Sequence, residues 1–402
     1  MTETGKPCHA NAGCYPESMP EKIRVAVLFG GQSVEHDVSL LSARSVIGAL
    51  DPDKYEAVPI AITREGHWLP PGAATALLGG GGDRSHDREG VVAPVGGAGR
   101  AEPGHEEVLA PADVPNLILA PGAAADFGHF DVVFPLVHGT QGEDGTIQGL
   151  LELASLPYVG AGVLASAAGM DKFTMKRLFR DAGLPIPRFL AVTRRHGLPA
   201  IERLVAETIG YPCFVKPANG GSSVGITKVH TEEELQRALE LALQLDRRAL
   251  VEEAIDAREL ECSVLGNDDP QASAIGEIVP GREFYDYQAK YFDQRTQLCI
   301  PAPVPEEVAC RVRSLAIEAF RAIDCAGMAR VDFFLRRADG TLFVNEINTI
   351  PGFTSVSMYP KLWEASGVSY RELVDRLIQL ALERHTENEA TRRRYTSRGT
   401  GP

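Results

Sequence analysis

Apolar runs bounded by glycine turns alternate with amphipathic stretches along most of this chain. IRVAVLF (Ile23–Phe29) is continuously apolar and reads as a strand buried on both faces. It ends in Gly30-Gly31-Gln32-Ser33-Val34-Glu35-His36-Asp37 and is followed by a helix from about Val38 to Leu50. Strand, glycine turn and helix open a doubly wound α/β unit. AVPIAIT (Ala57–Thr63) and DVVFPLVHG (Asp131–Gly139) repeat the strand pattern, the latter running through a glycine-rich turn into a helix. Beyond Gly160-Ala161-Gly162 the pattern changes. A helix carries Lys172 in its first turn and stops at Gly183 and Pro185. Tyr211–Val229 reads as a strand carrying Lys216, a loop of Asn, Gly and Ser, and a second strand. An amphipathic helix spans Glu232–Leu245, and ALVEEAIDARELECSVLGN gives a strand, a short crossing segment and another strand. A further amphipathic helix follows Pro305, and RVDFFLRRADGTLFVNEINTIPG (Arg330–Gly352) reads as a hairpin. The last helix has a capping box, Ser369 to Glu372, and an apolar face of Leu373, Leu377 and Leu380 or Ala381.

These elements predict an α/β and α+β protein of three domains: 21–162, 163–252 and 253–385. Residues 1–20 and 386–402 are expected to be flexible tails, and 71–107, rich in Gly, Ala, Pro and charge, a loop insertion. Net charge of −14 without a long basic run argues against nucleic acid as a partner. No run of apolar residues is long enough for a membrane span, and the N-terminus lacks the apolar core of a secretory signal. The 7 cysteines form no C-x-x-C pair, so buried free thiols in a reducing cytoplasm are expected rather than zinc or disulfides.

The hairpin holds the densest chemistry. With Ala338-Asp339-Gly340 as its loop, Arg337 pairs with Thr341, Asp332 with Glu346, and Arg330 with Asn348. All four of the last-named side chains then share one face. Directly opposed carboxylates repel unless a positive charge lies between them, and Asp, Glu and Asn oxygens are hard ligands of the kind Mg2+ takes. A solvated hairpin face is the bland alternative. The loop after Lys216 has small residues that let backbone amides approach a phosphate, although the lysine precedes the glycines, unlike a P-loop. Lys172 opposes the dipole of its own helix, which makes a nearby anion reasonable; a surface lysine is the ordinary case. His138 stands at the C-terminal end of a strand, where ligands bind in such sheets, or else is a hydrogen-bonded turn residue. Gly281–Leu298, with its Tyr and Phe among charges, suits a loop that closes over a site.

RVD followed by NEINTIPG resembles the magnesium site of ATP-grasp ligases, and the continuation FTSVSMYPKLW narrows the resemblance to the D-alanine–D-alanine ligases. GGQSVEHDVS matches the N-terminal GGxSxEHxVS motif of that family. The resemblance runs from about Ile23 to His385 and implies the ATP-grasp fold, with ATP between the central and C-terminal domains. It implies that Glu35 holds the ammonium of the first D-alanine, with His138 nearby and Ser222 in the network above it. Lys172, Lys216 and Lys290 would touch phosphates. Glu252, Glu253, Ala254 and Ile255 would hold adenine, Glu259 the ribose, and Asn345 would join the ATP site. Tyr291 would seal the lid toward Glu35 and Ser222. Arg330 and the Gly352 amide would stabilise an oxyanion, and Ser357 with the Met358 amide would take the second substrate's carboxylate. Asp332, Glu346 and Asn348 would hold two Mg2+ ions, or Mn2+. The implied reaction joins two D-alanines through an acyl phosphate, supplying peptidoglycan synthesis in the cytoplasm, and a homodimer is expected by family analogy. Rivals are a same-fold D-alanine–D-lactate or D-alanine–D-serine ligase, against the first of which Tyr291 speaks, another ATP-grasp enzyme, and a non-catalytic nucleotide-binding module. A dinucleotide dehydrogenase lacks its G-x-G-x-x-G fingerprint here.

Overall fold

A computed structural model describes residues 21–79, 129–279 and 296–398. In chain order the first elements are β1 (Ile23–Gly30), α1 (His36–Ala49), β2 (Tyr55–Ile62), β3 (Trp68–Leu69), α2 (Pro71–Gly79), β4 (Val132–Pro135) and α3 (Thr146–Leu153). There follow α4 (Val163–Met170), α5 (Lys172–Asp181), β5 (Phe189–Thr193), α6 (Leu198–Thr208), β6 (Cys213–Pro217), β7 (Thr227–Val229), α7 (Glu232–Leu245) and β8 (Arg248–Glu253). The rest are β9 (Ala257–Gly266), β10 (Gln271–Val279), β11 (Gln297–Cys299), α8 (Glu306–Ala322), β12 (Gly327–Arg336), β13 (Leu342–Asn348), α9 (Met358–Ala365) and α10 (Tyr370–Arg398).

The strands form three sheets. The first, β3-β2-β1-β4, has β1 parallel to both β2 and β4. Its central strand is buried from Val25 to Phe29, as an apolar run covered on both faces must be. The second, β5-β8-β6-β7, and the third, β11-β10-β9-β12-β13, are antiparallel throughout. Packing does not follow chain order everywhere. Met175 and Phe179 of α5 share a core with Phe320 of α8 and Val331 of β12, so α5 lies on the third sheet while preceding the second in sequence. Likewise Leu373, Leu377 and Ala381 of α10 are buried with Val25 and Val27 of β1, and Leu380 is only partly so. At the helix start the Glu372 amide donates to Ser369 Oγ at 3.3 Å, one half of the expected capping box.

Several expectations need correction. Residues 71–79 are helical rather than part of a loop. Pro sits at the first position, Ala and Leu follow, and Ala74 is fully buried on the core of the first sheet, so local propensity and burial agree there. The remainder of the 71–107 stretch lies outside the described residues. The C-terminal tail is not irregular from 386 onward, because α10 continues to Arg398. No Gly or Pro interrupts the sequence before Gly399, so nothing stops a helix already nucleated by packing. Cys213, Cys262 and Cys325 are buried, but Cys310 is exposed on α8. Of the expected lid, Gln297 and Leu298 belong to β11; Lys290 and Tyr291 lie outside the described residues.

Candidate active site

The β12–β13 hairpin places Arg330 opposite Asn348, Val331 opposite Ile347 and Asp332 opposite Glu346. The route to that pairing differs from the one expected. Arg336, not Arg337, faces Thr341, with Arg336 N to Thr341 O at 2.9 Å, so the turn is one residue longer. Asp339 stabilises it by accepting the Arg336 fork at 2.8 and 2.7 Å and the Thr341 amide at 3.0 Å. Near the turn Phe333 faces Val344, and Asn345 is skipped before Asp332 meets Glu346. This is a β-bulge, and its extra strand residue restores the register that the extra turn residue displaced.

Arg330 grips Asp332 with a two-pronged hydrogen bond, Nε to Oδ1 and Nη2 to Oδ2, both 2.7 Å. Its Nε also lies 2.9 Å from Glu261 Oε2, and Asn348 Nδ2 donates to Asp332 Oδ2 at 3.0 Å. Asp332 thus stands between Glu346 on β13 and Glu261 on β9, three acids across adjacent strands. Burial works against the Arg330 charge, but Asp332 and Glu261 outweigh it and hold the guanidinium protonated. The face offers hard oxygen donors, two carboxylates and an amide, of the type Mg2+ uses together with phosphate oxygens rather than a closed protein cage. The donor set therefore fits a divalent cation.

Lysines line the neighbouring wall. Asp171 caps α5 by accepting the Thr174 amide at 2.8 Å, and Lys172 Nζ donates to Gly220 O at 2.6 Å. The loop that Lys172 reaches holds Ser222 and Ser223 at φ of 51° and 59°. Left-handed backbone at non-glycine residues is sparsely populated and turns amides into a concavity suited to an anion. One helical turn beyond Lys172, Lys176 is buried and pairs with Glu252, which Lys216 grips from the other side. Burial favours the neutral acid, yet the two ammonium groups hold Glu252 down at about 2. Burial lowers Lys176 from its usual range, while Glu252 keeps Lys216 above it.

At the opposite end Ser222 Oγ donates to Glu35 Oε1, and Ser33 Oγ donates to the His138 carbonyl at 2.7 Å. A Cβ on Gly139 or Gly221 would lie 3.4 or 3.5 Å from Glu35 Oε2, so small residues flank that carboxylate. His138 is buried, with Nε2 3.3 Å from Ser42 Oγ and Nδ1 3.2 Å from Ile350 O and 3.5 Å from Glu143 Oε1. Burial pushes the imidazole down, but Glu143 and then Glu35 hold it above its usual value. Ser42 Oγ also accepts the Phe353 amide at 3.4 Å, which ties α1 to the segment after the hairpin. In that segment Thr354 Oγ1 and Ser357 Oγ lie 2.7 Å apart, and a Cβ on Gly352 would come within 3.0 Å of Ser357 Oγ. Ser357 precedes α9, whose first residue is Met358.

The strand-crossing segment is partly committed to structure. Glu253 receives the Arg188 amide and Nε, each at 2.8 Å, and the Ala254 amide donates to Pro212 O at 3.2 Å. Together with Ile255 and Glu259 they border one cleft of about 1700 Å³. Every candidate residue of the sequence analysis within the described residues lines that cleft. Its volume exceeds a single drug-sized pocket and suits a nucleotide with two small partners.

Lys176, Glu261 and Glu143 were not picked out from sequence. Lys176 carried a signal: it sits beside Met175 on the face that buries Phe179, where an unpaired lysine is rare. Glu261 alternates with the buried Leu260 and Cys262 and so shares the polar face of β9 with Glu259. Glu143 offered only its place in a glycine-rich turn.

Family models described as D-ala D-ala ligase N-terminus and D-ala D-ala ligase C-terminus match residues 24–161 and 178–379. A D-alanine--D-alanine ligase of Thermoanaerobacter sp. is 54% identical over 91% of this chain and 98% of its own length. One from Geobacillus thermodenitrificans is 49% identical over 92% and 98%. Among solved structures, a D-alanine-D-alanine ligase from Coxiella burnetii aligns with a TM-score of 0.77 at 36% identity, covering 95% of this chain and 100% of that one. The VanG D-Ala:D-Ser ligase from Enterococcus faecalis aligns at 0.73 and 34%, covering 90% and 100%.

Proposed function

The chain belongs to the D-alanine–D-alanine ligase family of ATP-grasp enzymes, and we propose on that footing that it joins two D-alanines to D-alanyl-D-alanine with conversion of ATP to ADP and phosphate. The observation that carries this reading is the single cleft. Glu35, Ser222 and His138 stand at one end, Lys172 and Lys216 beside the phosphate-type loop, and Arg330 with Asp332, Glu346 and Asn348 on the hairpin face. On this proposal the chain divides at 162 and 252 into an N-terminal, a central and a C-terminal domain. The setting is cytoplasmic cell-wall precursor synthesis by a homodimer. Among the described residues no helix is long and apolar enough to cross a membrane.

The residues suit the chemistry. A carboxylate is a poor electrophile. Its oxygen attacks the terminal phosphorus of ATP, ADP leaves, and the resulting acyl phosphate has a good leaving group. The second amine then attacks the carbonyl carbon, phosphate departs, and the C–N bond forms. Glu35 attracts the first substrate's ammonium. Lys172 and Lys216 neutralise phosphate oxygens, and Arg330 with the Gly352 amide faces the oxyanion of the second step. Ser357 and the Met358 amide take the second carboxylate. Mg2+ or Mn2+ held by Asp332, Glu346 and Asn348 would supply charge neutralisation during phosphoryl transfer. Ala254, Ile255 and Glu259 border the nucleoside end, with Asn345 at the bulge. The Glu252 carboxylate is already engaged by two lysines, so it acts on the nucleotide through Lys216.

The test is phosphate release from ATP, scanned over single D-amino acids and pairs, with D-serine and D-lactate as alternative second substrates. Release dependent on D-alanine, with the dipeptide as main product, is expected. ATP turnover indifferent to D-alanine, or none at all, refutes the reading, and preference for D-serine or D-lactate moves the chain to the rival specificity.

A further inference from the structure

The bulge in β13 decides which face of the hairpin carries the acids. Between the turn and Phe333 the ladder pairs Leu335 with Leu342 and Phe333 with Val344. Had that register continued, Asp332 would face Asn345, and Glu346 and Asn348 would fall on the buried side with Val331. Skipping Asn345 returns Glu346 and Asn348 to the side of Asp332. The bulge is therefore a requirement of the site, and something must hold it. β13 is the edge strand of its sheet, so its outer side has no further strand to pair with. Two contacts from the α5 region meet it there. Pro185 O accepts the Val344 amide at 2.7 Å, and Lys176 Nζ donates to Asn345 O at 3.1 Å. Lys176 itself is 1% exposed, and its charge is balanced by Glu252 at the end of β8. One ammonium thus joins the second sheet, helix α5 and the bulged residue of the third.

We propose that Lys176 is a positioning residue for the cation-binding face: set against Glu252, it holds the bulge carbonyl of Asn345 and so keeps Glu346 and Asn348 aligned with Asp332. This rests on the reading of that face as a divalent-cation site. Lys176 touches neither the cation nor the substrates; it acts through the backbone next to a ligand. Loss of partners one step removed from a metal typically weakens metal binding about 10–100-fold.

The experiment uses the full chain and Mn2+ as probe, with free Mn2+ followed by electron paramagnetic resonance in the presence of saturating ADP. Lys176→Met keeps the unbranched apolar stem but removes the terminal donor and its charge. Its Mn2+ dissociation constant is expected to rise about tenfold or more. Lys176→Arg, which retains a cationic donor, is expected to recover most of the affinity. A purely structural role would lower the melting temperature without changing Mn2+ affinity in the folded fraction. If Lys176→Met leaves Glu252 too poorly paired to fold, Lys176→Met with Glu252→Gln removes the buried carboxylate charge and is measured instead. Parental Mn2+ affinity in whichever variant folds overturns the proposal. Glu346→Gln is run beside them. If Glu346→Gln binds Mn2+ like the parent, the cation reading itself is wrong and the proposal falls with it. If Glu346→Gln loses Mn2+ while the Lys176 variant does not, only the role of Lys176 is refuted.

Discussion

Ser222 Oγ donates a hydrogen bond to Glu35 Oε1 across 187 residues of sequence, closing the loop after β6 onto the start of α1. In the proposed reaction Glu35 holds an ammonium, which requires a fixed carboxylate, and the serine fixes it from the side of the loop after β6. Ser222 already holds a Cβ at a φ of 51°, so Ser222→Ala removes the hydroxyl and leaves the backbone demand unchanged. A buried hydrogen bond to a charged group contributes about 1.5–3 kcal/mol, so kcat/KM for D-alanine should drop roughly 10–150-fold. The KM for ATP should change far less. Equal losses for both substrates would mean that the serine shapes the phosphate loop rather than the amino-acid subsite.

Glu143 Oε1 lies 3.5 Å from His138 Nδ1 and favours the charged imidazole. Burial alone would lower the imidazole, and the neighbouring acid reverses the direction. A folded-state pKa above the ordinary 6.5 stabilises the native state below that pH, and the contribution disappears as pH rises through the folded value. In Glu143→Gln burial is less opposed, so the imidazole pKa should fall. Nuclear magnetic resonance titration of His138 in the two proteins decides this, and an unchanged midpoint would rule out Glu143 as the cause.

Glu252 is a buried acid between Lys176 and Lys216. Removing one partner of such a network leaves uncompensated buried charge and costs about 3–5 kcal/mol. Glu252→Ala should therefore unfold at markedly lower urea concentration. The acid side gives a second check. The folded pKa of about 2 lies below the ordinary 4.5, so this stabilisation is complete above pH 4.5 and is lost as pH falls toward 2. The stability gap between parent and Glu252→Gln should narrow across that window. A constant gap would show that the carboxylate charge is not what the lysines stabilise.

The thiols should separate by position. Burial pushes Cys213 up to about 11 and Cys262 and Cys325 up to about 12, so little thiolate forms at neutral pH. Cys310 is exposed. A disulfide reagent added to the folded protein should modify Cys310 promptly and the three buried residues only after denaturant. Mass spectrometry of the labelled peptides identifies them, and early labelling of Cys262 would mean that the third sheet opens readily.

Much of the site was legible in sequence because its signals are local. Asp332 and Glu346 lie on one hairpin, so turn and strand alternation predict their pairing without any knowledge of the rest of the fold. Lys216 and the Ser222 loop follow from a strand that stops at small residues. Even here the route differs from the expected one: a longer turn and a bulge at Asn345 compensate one another, and the spacing from Val344 to Ile347 breaks the two-residue period. That break was visible as a phase shift in the buried residues, but its meaning depends on what lies outside the strand.

What the sequence by itself determined was the order of elements, the polar and apolar faces of strands and helices, and the motif residues grouped within single turns or hairpins. Each of these depends on backbone period and on neighbours a few residues away. What only tertiary structure decided was the set of partners. Lys176 reads as a lysine out of place on a buried helix face until Glu252 and the carbonyl of Asn345 are brought to it from two different sheets. Glu261 becomes part of the Arg330 site only when β9 pairs with β12, and Glu143 acts on His138 only once packing brings it to 3.5 Å from the buried imidazole. The physical reason is that desolvation and Coulomb attraction depend on distance in space, and chain separation carries no information about that until packing has fixed it.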